Sequence, residues 1–269
     1  MKTIVLGALL VTSAPETPAA PLAPTTPWTV EYADNLCVLS RDYVTDKGKI
    51  TFGVRPWPMG DSVEIVLLQP ASYGVGIQNG KATITLMPSI VAIPATYSSY
   101  VTTKSRMRIA TVDIPSTALG QLGSSTGIEI AIAGKPPVSL TLGKMKGALG
   151  ALSMCTDDLL RSWHLDPSEQ LRIATPAQPI QSVNDWIGTD DYPPDALLRE
   201  SQGAVTITWT IDTEGRITNC GVAATSGDPA LDSAACATIT KRGRYKPAID
   251  KDGKPIAVHS TRRVVWLLP

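Results

Sequence analysis

Four stretches near the C-terminus decide the fold of this chain: Tyr192–Glu200 (YPPDALLRE), Gly203–Val222 (GAVTITWTIDTEGRITNCGV), Ser226–Ala248 (SGDPALDSAACATITKRGRYKPA) and Asp252–Val258 (DGKPIAV). Pro193 and Pro194 precede ALLRE, and proline suits a helix start, so a short helix is predicted from Pro194, ended by Gly203. Val205, Ile207, Trp209 and Ile211 then alternate with Thr206, Thr208 and Thr210, the period of a strand covered on one face. Thr213-Glu214-Gly215 turns the chain, and Ile217 to Ala224 returns as a second strand. Asp228-Pro229 reads as a helix start, with Asp228 as N-cap and Pro229 at the first helical position. Leu231, Ala235 and Ile239 follow at four-residue steps and should face the sheet. After Asp252-Gly253, Ile256 to Leu268 gives a last strand whose end, Val264 to Leu268, is apolar on both faces. Such a strand is either covered on both sides or an edge that accepts a partner strand. The unit is a small two-helix, three-stranded antiparallel α+β domain.

Outward from that unit, the 269 residues allow two ordinary domains. The 24 basic and 24 acidic side chains cancel, so no global field favours nucleic acid or an anionic membrane surface. Period-2 runs fill the first half: Ile50, Phe52 and Val54; Ile84 and Leu86; Ile128, Ile130 and Ile132; Val138, Leu140 and Leu142. Residues 28–166 therefore read as an antiparallel β-rich domain, a sandwich or open barrel. Its last part changes period: Met145, Leu149, Leu152, Leu159, Leu160 and Trp163 share one helix face, a helix that closes the sheet. Residues 167–189 hold Pro167, Pro176 and Pro179 without a sustained period and read as an interdomain linker.

The N-terminus is predicted to be an export signal over residues 1–20, with Lys2 as its charge and Thr3 to Val11 as its apolar stretch. That stretch is far below the ~20 residues a spanning helix needs. Cleavage after Ala14 or after Ala20 fits equally, and residues 21–27 continue as a Pro/Ala/Thr linker. Export to the periplasm follows, with an inner-membrane anchor facing the periplasm as the alternative. Four cysteines in an oxidising compartment suggest two disulfides among three pairings; one within each domain, Cys37–Cys155 and Cys220–Cys236, is favoured over buried free thiols.

No site for chemistry stands out. His164 ends a helix and His259 sits in the last strand; neither accompanies a close cysteine pair, so no metal site is expected. Asp157-Asp158 and Asp190-Asp191 are neighbours whose side chains diverge, which suits helix-end charge rather than an acid/base couple. No phosphate loop, dinucleotide fingerprint or nucleophile elbow appears. Catalytic residues, cofactors and a small-molecule substrate are not expected, and the chain does not read as an enzyme. The basic run Lys241-Arg242-Gly243-Arg244 reads as a helix end favoured by the helix dipole, with contact to acidic partners or lipid headgroups as the alternative.

Residues 190–269 resemble the C-terminal domain of TonB, the energy transducer that touches outer-membrane transporters. The resemblance rests on Tyr192-Pro193, Gly203-x-Val205, Asp212 to Gly215 with Ile217, Ser226-Gly227, Leu231-Asp232-x-Ala234-Ala235, Tyr245-x-Pro247-Ala248 and Gly253-x-Pro255, all in order. It implies a periplasmic domain that grips an extended segment of a TonB-dependent transporter by strand addition. The implied contact residues are Tyr192 and Pro193 and the last strand: Arg262, Arg263, Val264, Val265, Trp266, Leu267 and Leu268. The alternative is a structural envelope protein, without energy coupling, that uses this domain for docking or as a homodimer interface.

Overall fold

A computed structural model describes residues 20–33, 35–60, 62–71, 76–102 and 106–268. The signal expected over residues 1–20 lies, but for Ala20, outside them.

The first unit is a nine-stranded antiparallel half-barrel. Its strands are β1 (Thr29–Ala33), β2 (Leu36–Thr45), β3 (Gly48–Pro56), β4 (Ser62–Pro70), β5 (Gln78–Met87), β6 (Val91–Val101), β7 (Met107–Pro115), β8 (Gly127–Ile132) and β9 (Val138–Thr141), in the order β1-β2-β3-β4-β7-β6-β5-β8-β9. The alternating residues do what their period requires: Phe52, Val54, Ile84, Leu86, Ile128, Ile130 and Leu140 are all buried in one core. Helix α1 (Ala118–Ser124) precedes β8, and α2 (Lys146–Ser162) lies across β1 and β2 with Leu152, Cys155 and Leu159 turned into the core. Cys155 is bonded to Cys37 of β2 across 118 residues of sequence. Closing so long a loop removes about 5 kcal/mol of unfolded-chain freedom on the chain-entropy account.

Two segments expected to be linkers are parts of the fold instead. Leu22 bridges Leu140 of β9, and its amide donates to the Ser139 carbonyl at 2.8 Å; Pro24 then bridges Tyr43 of β2, and the Thr25 amide donates to the Asp42 carbonyl at 2.8 Å. Residues 22–25 thus join the β9 edge to β2. Residues 167–189 are built into the second unit. After a 3-10 turn (Pro167–Arg172), β10 (Ile173–Thr175) pairs with β15 (Ala248–Asp250), and β11 (Gln178–Pro179) pairs with β14 (Tyr245–Lys246). Trp186 is buried in the second core, with its ring edge-on to Tyr245 at 5.3 Å. Strands of two or three residues carry no readable period, so the prolines dominate the sequence pattern there.

The second unit has the predicted helices and sheet: α3 (Pro194–Leu198), β12 (Gly203–Ile211), β13 (Ile217–Ala224), α4 (Pro229–Arg242), β16 (Pro255–Ile256, paired with β15) and β17 (Val258–Trp266). The main sheet runs β13-β12-β17, all antiparallel. Asp228 caps α4 by accepting the Ala230 amide at 2.9 Å. Leu231, Ala235 and Ile239 are fully buried against the sheet. Cys236 of α4 is bonded to Cys220 of β13. Gly215 adopts φ 77°, and a Cβ there would lie 1.9 Å from the Tyr245 carbonyl oxygen, so the β12–β13 turn needs a glycine.

The other face of the sheet is not simply solvated. Thr206, expected to face water, is buried. It pairs across the ladder with Arg263, and Thr208 pairs with Thr261. Cross-strand partners share a face, and this face meets the half-barrel: the Thr261 hydroxyl donates to the Pro58 carbonyl, and a Cβ on Gly60 would lie 3.5 Å from the Thr261 oxygen.

Candidate partner-binding edge

A three-stranded sheet leaves two edges, and their residues make them different. β13 pairs with β12 through two register shifts, between Thr206 and Ile207 and between Thr208 and Thr210, and Asn219 sits at φ 51°. Bulges of this kind twist an edge away from further pairing. β17 pairs with β12 without a break over nine consecutive residues, Gly203↔Trp266 to Ile211↔Val258.

The direction of the free backbone groups on β17 follows from one hydrogen bond. The His259 amide donates to Glu169 Oε1 at 2.6 Å, so it points away from β12. In an antiparallel ladder the two directions alternate. Thr261, Arg263 and Val265 therefore also turn their amides and carbonyls outward. The N-terminal half of this edge is covered by the protein itself: Glu169, only 4% exposed, takes the His259 amide and faces its ring Nδ1 at 2.6 Å, and the Pro58–Gly60 loop lies against Thr261. The outward groups of Arg263 and Val265 have no strand beside them among the described residues.

The residues expected to bind a partner divide accordingly. Val265 is 40% exposed, whereas Val264 and Trp266 are buried in the core on the opposite face. Tyr192 packs edge-on to Trp266 with ring centres 5.4 Å apart, and its hydroxyl donates to the Ser201 carbonyl. Pro193 opens α3 beside it, so the Tyr-Pro pair stands at the open end of β17. Leu267 and Leu268 follow the strand, and the Leu268 amide approaches Gln202 Oε1 at 3.4 Å. Arg262 and Arg263 line a cleft of about 750 Å³ between β17 and the half-barrel.

The electrostatics of that cleft involve residues the sequence did not single out. Arg55 pairs with Glu64, both largely buried, and its guanidinium lies 5.1 Å from the centre of the Trp57 ring. Burial, then the neighbouring Arg55 charge, holds the Arg263 guanidinium below its ordinary range. The Nε atoms of Arg55 and Arg263 are buried without a hydrogen-bond partner among the described residues. Glu169 stands 90 residues from His259, and Pro58 stands 203 from Thr261, so no local pattern announces either contact.

Several other charged residues have partners within the protein. Arg242 grips Asp191 through both terminal nitrogens, at 2.6 and 2.8 Å, and donates to the Trp186 carbonyl. Arg244 donates to the Gly243 carbonyl at the end of α4. Asp158 pairs with Arg161 on exposed helix surface, and His164 follows α2 at φ 60°. Among the described residues no group of His, Cys, Asp and Glu is placed to hold a metal ion, and no helix is long and apolar enough to cross a membrane.

Residues 189–268 match the family described as Gram-negative bacterial TonB protein C-terminal. This segment is a TonB C-terminal domain, less than a third of the chain; the half-barrel is not assigned to a family. No curated protein matches the chain. The family belongs to the cell envelope and interacts in general with TonB-dependent outer-membrane transporters.

Proposed function

We propose that this is an exported, periplasmic binding protein without catalytic activity. Its TonB-type domain takes up an extended segment of an outer-membrane transporter as an added strand on β17. The single observation behind this reading is the unbroken β17 ladder, with the amides and carbonyls of Arg263 and Val265 turned away from β12. Two residues of one parity offer four backbone hydrogen-bonding groups to an incoming strand. Val265 adds an exposed apolar side chain, and the Tyr192–Trp266 pair makes a rigid end wall. Both disulfides suit an oxidising compartment.

The test is a titration of the ¹⁵N-labelled full chain with peptides from transporter N-termini. Saturable shifts centred on the Arg263 and Val265 amides are expected. A titration that leaves β17 unchanged contradicts the reading, and a stable dimer that pairs β17 with its own copy and ignores peptide replaces it with self-association.

A further inference from the structure

The cleft beside β17 is walled on its far side by the half-barrel, which contributes Lys81 and Thr83 of β5, Pro94 of β6 and Ile114 of β7. A partner segment laid along the open edge therefore meets two domains. The chain as a whole is neutral, but the cleft is not: Lys81, Arg262 and Arg263 line it against Glu64 and Asp113. Glu64 is paired with Arg55 and its charge also acts on Arg263, and Asp113 and Arg262 have their own interactions. Lys81 is exposed and makes no ion pair among the described residues, and Arg263 keeps a buried Nε–H without an acceptor. Cations held in excess of their anions in a half-enclosed space favour an anionic occupant. The adjacent strand edge demands that the occupant present an extended backbone.

We propose that β17 and the half-barrel form one composite groove, selective for an extended peptide segment that carries an acidic side chain toward Lys81 and Arg263. This rests on the strand-addition reading and adds to it a second domain and a charge preference. The half-barrel becomes a specificity wall, and the TonB-type domain alone is an incomplete site.

The experiment uses the full chain and three synthetic ten-residue peptides, alike except for a central Asp, Asn or Lys. The Asp peptide is expected to bind about fivefold more tightly than the Asn peptide, the upper range for a solvent-accessible ion pair, and the Lys peptide more weakly than either. Lys81→Gln, on the exposed face of β5, should shrink the Asp preference, and Lys81→Glu should turn it toward the Lys peptide; an unchanged circular dichroism spectrum confirms that both variants fold. Equal binding of the three peptides, with the β17 amides still shifting, overturns the charge preference and leaves strand addition standing. A preference for Asp that Lys81→Gln does not alter overturns the role of the half-barrel. Failure of every peptide to perturb β17 overturns both readings.

Discussion

The two edges of the C-terminal sheet share a central partner and differ in nearly everything else. β13 is bulged, carries Asn219 in a left-handed conformation and is tied to α4 by Cys220–Cys236. β17 is straight in register for nine residues, and its protection comes from elsewhere in the chain, through Glu169 and the Pro58–Gly60 loop. An edge defended by its own geometry stays closed. An edge defended by borrowed groups is closed only as far as those groups reach; among the described residues the bonds from Glu169 and Pro58 go no further than Thr261. On the proposed reading, the outward backbone of Arg263 and Val265 is the stretch where a partner strand would pair.

The largest effect on binding expected from this contrast comes from removing one donor on the open stretch. Val265→Pro deletes an outward amide and leaves the β12 ladder intact, since edge strands tolerate proline where the N–H faces out. Peptide affinity should fall at least about tenfold, from the lost bond and the ring's obstruction of the neighbouring strand. Calorimetric titration measures it, with thermal unfolding as the control for folding. Val222→Thr, at an exposed position of β13, should leave peptide affinity unchanged.

The largest effect on stability is expected at the staple on the closed edge. Cys220→Ser with Cys236→Ser opens a loop spanning 16 residues and should lower stability by about 3 kcal/mol on the chain-entropy account. Denaturant unfolding reads the loss. Peptide binding well below the melting temperature should persist, because β17 does not depend on that bond.

A smaller, opposite change is expected at the capped half of β17. Glu169→Ala removes the acceptor of the His259 amide, so that amide should exchange faster with solvent. Peptides long enough to reach His259 should then bind a few-fold more tightly, by about one added ladder bond. Short peptides confined to Arg263 and Val265 should show no gain.

The smallest effect is a pH dependence on the β13 side. The Asp228 carboxyl is pushed down to about 2, first by the Ser201 hydrogen bond, then by Arg199 and the Ala230 amide. A carboxyl depressed in the folded state stabilises it at pH values above its unfolded pKa, about 4, and the contribution disappears as pH falls through about 2. The melting temperature should therefore decline between pH 4 and pH 2. Asp228→Asn, which keeps a capping side chain but no charge, should flatten that decline.

Much of this arrangement is legible in the sequence wherever a run is long enough to have a period. Val205 to Ile211, Leu231 to Ile239 and Phe52 to Val54 each announce which side faces a core, and Asp228-Pro229 marks a helix start by local chemistry. The even cysteine count, read domain by domain, leads to the observed disulfides. Residues 167–189 escape the same reading because β10 and β11 are too short to alternate, and Trp186 enters the second core from a segment dominated by proline. The candidate edge is half legible. Its strand and Tyr192 follow from the family pattern, but the limit of its open stretch is set by Glu169 and Pro58, whose partners lie 90 and 203 residues away. Lys81 and Arg55 escape for the same reason: a wall contributed by another domain has no signature beside the strand it faces.

The most direct measurement is amide hydrogen exchange along β17, residue by residue, with and without a transporter N-terminal peptide. In the free protein Arg262 and Val264, bonded to β12, should be protected, while Arg263 and Val265 exchange rapidly; saturating peptide should then protect Arg263 and Val265. Slow exchange at those two amides before peptide is added, or exchange unaltered by saturating peptide, would contradict the open edge on which the account depends.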